Sequence, residues 1–251
     1  MGCLHAGHLS LIEKAKSLAD HVVVSIFVNP LQFDNSDDLK KYPSTLEDDL
    51  QKLKDLNVDL VFTPTTESFY PEGRNKVKQI DVGEISTLLE GEKRPGHFAG
   101  VATVVKRLLE IISPNFAVFG EKDFQQLMVI QQLVVLFCLD VKIIAMPTFR
   151  ERDGLAMSSR NVRLSEIQRE KAAEIYRQLK RIKSAIDAKS ENYNDLEKAA
   201  SESLRKIGFI PDYVVIRETS TLLAPENQDS SLIVLIAARI GEIRLIDNIR
   251  V

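Results

Sequence analysis

Two histidines three positions apart, His5 and His8, stand at the start of a run with helical spacing, and Gly7 lies between them. Once the chain turns helical such a pair shares one side, and a glycine lets a ligand come close to the backbone. Helix N-terminal N–H groups attract phosphate, and imidazoles can donate hydrogen bonds to charge developing on an α-phosphate. The stretch Met1, Gly2, Cys3, Leu4, His5, Ala6, Gly7, His8 therefore suits a nucleoside triphosphate. A pair of satisfied surface histidines reads the same spacing equally well. A metal pair is set aside, because no third His or Cys ligand stands nearby in the sequence.

Three further constellations carry polar groups to places where ligands bind. Ser25 to Phe33 reads as a buried strand running into a turn, which puts Asn29 and Gln32 at a strand's carboxyl end, the ligand address of open α/β sheets. An Asx turn and a solvent-facing amide explain the same two residues. Phe119 to Gln126 repeats the arrangement. There Asp123 and Gln126 have capping-box spacing, whereas Lys122 beside a helix N-terminus faces an unfavourable dipole unless an anion compensates. In Asp153 to Asn161, two hydroxyls and a guanidinium (Ser158, Ser159, Arg160) in a mobile loop can neutralise a pyrophosphate leaving group, although a solvated turn is the common alternative. Arg94 and His97 precede a strong helix and fit either a site or an ordinary cap.

The elements that must position these groups alternate. Helical spacing covers His8 to Ala19, Ser44 to Leu56 with Ser44 and Glu47 in capping-box register, Ala99 to Ile112, and Asp123 to Phe137. Strand patterns cover Val22 to Val28, Asp59 to Phe62, Phe116 to Phe119 and Val141 to Ala145, with Val77 to Val82 as an outlying strand. Strands separated by single helices predict an α/β, Rossmann-like parallel sheet over residues 1–146. From residue 147 to 251 the pattern changes to two helices, Ser165 to Ala188 and Tyr193 to Ile207, and three strands, which predicts a smaller α+β domain.

Composition limits the partners. The chain has 251 residues, 44% of them hydrophobic, with 33 basic against 36 acidic side chains and a formal charge of -3. No bulk field invites nucleic acid or an acidic membrane, and a phosphorylated ligand would have to be held locally. The apolar runs are too short or too interrupted to span a bilayer. Two distant cysteines without a secretory leader predict a reducing compartment, by default the cytoplasm.

Together, MGCLHAGHLSLI, SIFVNPLQF, RPGHFAGVATVV, FGEKDFQQL and RERDGLAMSSRNVRLS resemble the pantothenate synthetase family in wording and order, up to about Leu164. The resemblance implies a two-step ligation. Pantoate carboxylate attacks the α-phosphate of ATP, which travels with Mg2+, and β-alanine then displaces AMP from pantoyl adenylate. By the same resemblance Met1 to His8 line the ATP site and His8 donates to the phosphate. Gly120, Glu121, Lys122 and Asp123 meet the nucleotide, joined by Phe149, and Met157 to Arg160 close over the triphosphate. Gln32 and Gln126 hold pantoate, with Asn29, Arg94 and His97 beside them. The family is typically homodimeric. Its members also carry a strand before the first Met-Gly, so the expected sheet lacks one central strand. The alternatives are another H-x-G-H nucleotidyltransferase, such as a cytidylyltransferase, and a truncated homologue that binds nucleotide without turnover.

Overall fold

A computed structural model describes residues 1–32, 45–189, 192–226 and 231–251, divided into two compact units, Met1–Pro147 and Thr148–Val251. In the first, helix α1 (Ala6–Lys16) leads to strand β1 (Val23–Ser25), then α2 (Leu46–Asp55) to β2 (Leu60–Phe62). After a long connection, α3 (His97–Ile112) leads to β3 (Phe116–Gly120), and α4 (Phe124–Leu136) to β4 (Lys142–Met146). Charge supports these helices: α2 has Glu47, Asp48 and Asp49 in its first turn and Lys52 and Lys54 in its last, the arrangement the helix dipole favours. The capping role expected of Ser44 lies outside the described residues, and Thr45 is the N-cap.

The strands pair in parallel, as the helix-strand alternation requires. They form two separate ladders, β1 with β2 (Val23 opposite Leu60) and β3 with β4 (Phe116 opposite Lys142). Among the described residues no strand joins the two. Apolar faces of α3 and α4, including Phe98, Val101, Val105, Ile130 and Leu133, make the larger core, with Phe69 and Tyr70 against it. A smaller core gathers Leu4, Ile12, Val22, Val24 and Leu53 beneath the first motif.

Val77 to Val82 is not a strand. Its apolar residues face the core all the same, with Val77, Ile80 and Val82 packed on the α3–α4 core. The Ile80 N–H donates to the Thr103 hydroxyl at 3.0 Å instead of to a ladder partner.

The second unit carries α5 (Glu166–Ala172), α6 (Glu174–Asp187) and α7 (Tyr193–Lys206), followed by β5 (Ile210–Glu218), β6 (Leu232–Ile240) and β7 (Ile243–Arg250) in an antiparallel sheet with β6 central. The single helix expected from Ser165 to Ala188 is two, divided at the buried pair Ala172 and Ala173. Ser165 caps the first of them with Gln168 in reciprocal capping-box bonds. Among the described residues no helix is long and apolar enough to cross a membrane. Both cysteines are free.

Candidate active site

The first motif turns from extended backbone at His5 into α1. The His5 and His8 rings stack with centroids 3.9 Å apart and planes 23° apart. The His5 backbone N–H donates to His8 Nδ1 at 3.4 Å, so the neutral His8 ring carries its proton on Nε2. Burial, then the neighbouring His5, then other cations including Lys122 hold His8 down to about 3. Burial and Lys122 lower His5 as well. Both rings are therefore neutral hydrogen-bonding groups near pH 7. His5 Nδ1 is buried and has no hydrogen-bond partner among the described residues, a polar atom of the kind a ligand satisfies.

Asn29, Gln32, Arg94 and His97 come together in one network. Asn29, 1% exposed, accepts from Leu31 N–H (3.2 Å) and from Tyr70 Oη (2.9 Å), and its Nδ2 donates to Gly100 O (3.2 Å) and to Gln32 Oε1 (3.5 Å). The Asx turn is thus real, and the same side chain also orients Gln32. His97 Nδ1 lies 2.7 Å from Gln32 O, a contact only N–H can make with a carbonyl, which leaves Nε2 to accept from Arg94 Nη1 at 3.0 Å. Gly100 makes this approach possible: a Cβ there would sit 2.2 Å from Leu31 O.

His97 is 8% exposed, and burial followed by Arg94 lowers it to about 4. An unfolded histidine protonates near pH 6.5. The stability that neutral His97 contributes is therefore complete above pH 6.5 and is lost as pH falls towards about 4, amounting to about 3 kcal/mol over that window. Urea unfolding at pH 7 and pH 5 checks this. The wild-type midpoint falls with acid and His97→Gln falls less, whereas equal slopes would mean that the ring is not held neutral.

The third motif closes β3. Lys122 is 19% exposed in its side chain, with Asp123 Oδ1 at 3.9 Å. Its charge is felt at both His5 and His8, and that of Asp123 at both His5 and His97, so three motifs distant in sequence share one region of the first unit. Asp123 occupies the N-cap position of α4 but makes no side-chain capping hydrogen bond, so the capping explanation for Asp123 and Gln126 does not hold. The two glutamines of the motif differ. Gln125 is 3% exposed and clamps a turn, donating from Nε2 to Ile85 O and Leu88 O (2.8 Å each) and accepting from Glu90 N–H at 3.0 Å. That clamp spans Leu89, whose φ of 41° a leucine rarely adopts. Gln126 is the half-buried member of the pair.

In the second unit the segment carrying Ser158, Ser159 and Arg160 follows a hydrogen-bonded hairpin. Phe149 and Met157 face each other through Met157 N–H to Phe149 O (2.9 Å), beside the Arg150–Ala156 bridge. Arg169 pairs with Glu151 and Asp153, and Asn161 Nδ2 donates to Glu151 Oε1 (2.9 Å) and Ala156 O (3.1 Å). Ser158 Oγ accepts from Arg160 N–H at 3.2 Å. Gly154, at φ 95°, leaves room for Tyr176, which a Cβ would meet at 2.1 Å.

A family model described as pantoate-beta-alanine ligase matches residues 1–250. The chain belongs to that family. It is 51% identical over 249 residues to the pantothenate synthetase of Aliivibrio fischeri, covering 99% of this chain and 86% of that one. To the pantothenate synthetase of Vibrio vulnificus it is 50% identical over 248 residues, covering 99% and 82%. Among solved structures it is similar to the pantothenate synthetase of Thermus thermophilus, with a TM-score of 0.93 and 43% identity over 99% of this chain and 90% of that one. It is also similar to the pantoate-beta-alanine ligase of Francisella tularensis complexed with beta-gamma ATP and beta-alanine, with a TM-score of 0.84 and 40% identity over 100% and 87%.

For a pantoate-beta-alanine ligase the informative residues include several that the motifs did not mark. Asp49 and Lys52 reach from α2 to the first motif, Tyr70 completes the Asn29 hub, and Gln125 fixes the turn ahead of Glu90. Burial of a charge was the missing signal for Asp49, because its sequence position in the first turn of an acidic helix suggests only a dipole partner.

Proposed function

We propose that this member of the pantoate-beta-alanine ligase family joins pantoate to β-alanine at the expense of ATP. The observation that carries the proposal is the meeting of two neutral, half-buried imidazoles with Lys122 in a chain that matches the family from residue 1 to 250. Pantoate carboxylate attacks the α-phosphate and pyrophosphate leaves. The β-alanine amine then attacks the acyl carbon, loses a proton, and AMP leaves. No side chain needs to become a nucleophile, so alignment and charge stabilisation do the chemistry. His8 offers its Nε2–H to the phosphate without adding full charge, and Lys122 supplies the cation. Glu121 and Asp123 line the nucleotide side of the same motif.

Gln32 and Gln126 hold pantoate, Gln32 in a pose set by Asn29, His97 and Arg94. Met157, Ser158, Ser159 and Arg160, with Phe149, act on the triphosphate, a role supported by the motif and by the pre-formed hydrogen bonds of that segment. Magnesium travels with ATP and neutralises charge on its phosphates. A homodimer working in the cytoplasm completes the reading. The test is AMP release with ATP, magnesium and pantoate, with and without β-alanine. Release that requires all of them is expected, and a folded chain that releases none would overturn the proposal.

A further inference from the structure

We infer that Asp49 is a positioning residue for the nucleotide, its buried carboxylate setting the shape of the loop that leads into the His5–His8 pair. Asp49 is 1% exposed in the first turn of α2. Its Oδ2 accepts from Cys3 N–H at 2.8 Å and its Oδ1 from Leu4 N–H at 2.7 Å. One turn further along α2, Lys52 Nζ donates to Leu4 O at 2.9 Å. Two side chains of one helix thus hold three backbone groups of two consecutive residues.

That grip has a conformation to maintain. Cys3 sits at φ 51°, in the left-handed region that residues with a Cβ enter only at a cost. The free chain would relax from it, and charge-assisted bonds to a dry carboxylate are among the strong hydrogen bonds that can prevent this. A helix-dipole role does not require burial, and here both oxygens turn away from their own helix to the loop. Electrostatics gives a second argument. A carboxylate that takes two N–H donors beside a phosphate-binding motif works against anion binding in direct terms, so its contribution is shape. Leu4 is followed at once by His5, so the backbone that Asp49 fixes is the one that sets the stacked imidazoles. The Lys52 ammonium offsets the carboxylate's charge and helps keep both rings neutral.

The inference rests on the ligase reading for its substrate, and the experiment separates the two. ATP affinity is measured by calorimetry alongside steady-state constants for wild type and Asp49→Asn, an isostere that turns an NH2 towards an N–H. Expected are ATP binding weakened about tenfold or more, adenylate formation slowed by a comparable factor, and a pantoate KM within twofold, because the hydrogen bonds of the Asn29–Gln32 network run through Tyr70, Gly100, Arg94 and His97 instead. Unchanged ATP affinity in the folded variant would overturn the inference, as would equal losses in every constant, the mark of a merely structural role. If Asp49→Asn does not fold, Lys52→Met decides. It keeps both N–H bonds and loses only the Leu4 carbonyl's partner, so a selective rise in the ATP Kd supports the inference and an unchanged Kd overturns it. A wild-type chain that binds ATP but releases no AMP removes the ligase reading while leaving the calorimetric comparison intact.

Discussion

Lys122→Met is expected to slow pantoyl adenylate formation about 100- to 1000-fold, the loss typical when one donor aimed at transition-state charge is removed. The argument starts from the two histidines. Because burial holds His8 at about 3 and lowers His5 too, neither ring brings positive charge to a bound phosphate at neutral pH. Two lysines act on both rings, and Lys122 acts more strongly than Lys52 on each. Lys52 donates to the Leu4 carbonyl, and Lys122, 19% exposed in its side chain, stands just past the end of β3. The Asp123 contact itself adds little stability, since at 3.9 Å it involves a half-exposed carboxylate, and circular dichroism of the variant checks that the fold is kept. The loss should therefore appear in pyrophosphate release with a folded, ATP-binding protein. Removal of Lys122 also lifts one of the charges that lower His5 and His8, so the acid limb of the residual activity should move to higher pH. A variant that releases pyrophosphate at the wild-type rate would place Lys122 off the reaction path.

Element order was legible in the sequence because periodicity reports burial directly. The runs around Val101 to Ile112 and Leu232 to Ala238 carry their core faces in their spelling, and the structure places the helix and the central strand there. Val77 to Val82 shows where that signal stops. Alternation reveals which side chains are buried, not whether a neighbouring strand offers ladder bonds, and Thr103 took the N–H instead. The separation of the parallel strands into two ladders fits the expected sheet that lacks one central strand, an expectation that came from the motif resemblance and not from periodicity. At the site, residue types marked His5, His8 and Lys122 as groups for phosphate chemistry. They could not show that Asn29 is saturated as a hub, that Gln125 rather than Gln126 is the clamp, or that Asp123 makes no capping bond. Those distinctions depend on which neighbour a polar atom meets, and local spacing carries no information about it. On either side of the Ser158 segment, Arg150 and Arg169 bond to partners up to 98 positions away, which local spacing does not reveal.

Arg150→Met is expected to destabilise the second unit by about 3–5 kcal/mol, the cost of removing one member of a buried ion pair. Arg150 forms a fork on Asp247, with Nη1 to Oδ2 at 2.6 Å and Nη2 to Oδ1 at 3.0 Å, and donates further to Gly154 O and Asn248 O at 3.0 Å each. Its guanidinium carbon lies 3.9 Å from the Tyr176 ring centroid. Asp247 has a side chain only 3% exposed, so water cannot replace the lost partner. Lysine should not rescue, because one ammonium cannot serve the fork, two carbonyls and the ring face together. Arg150→Met with Asp247→Leu should recover most of the loss, since breaking such a pair costs far more than replacing it with apolar groups. Urea unfolding followed by tyrosine fluorescence reports on this unit, because the chain has no tryptophan and Tyr176, Tyr193 and Tyr213, three of its 5 tyrosines, lie there. Arg150 also ties the hairpin between Phe149 and Met157 to β7, so the single variant should lose order next to Ser158–Arg160 before the unit unfolds. Amide exchange at Met157 and Asn161 that rises ahead of the β5–β7 amides is the expected sign. A double variant no more stable than the single one would show that the fork holds the hairpin by its directionality rather than by charge balance.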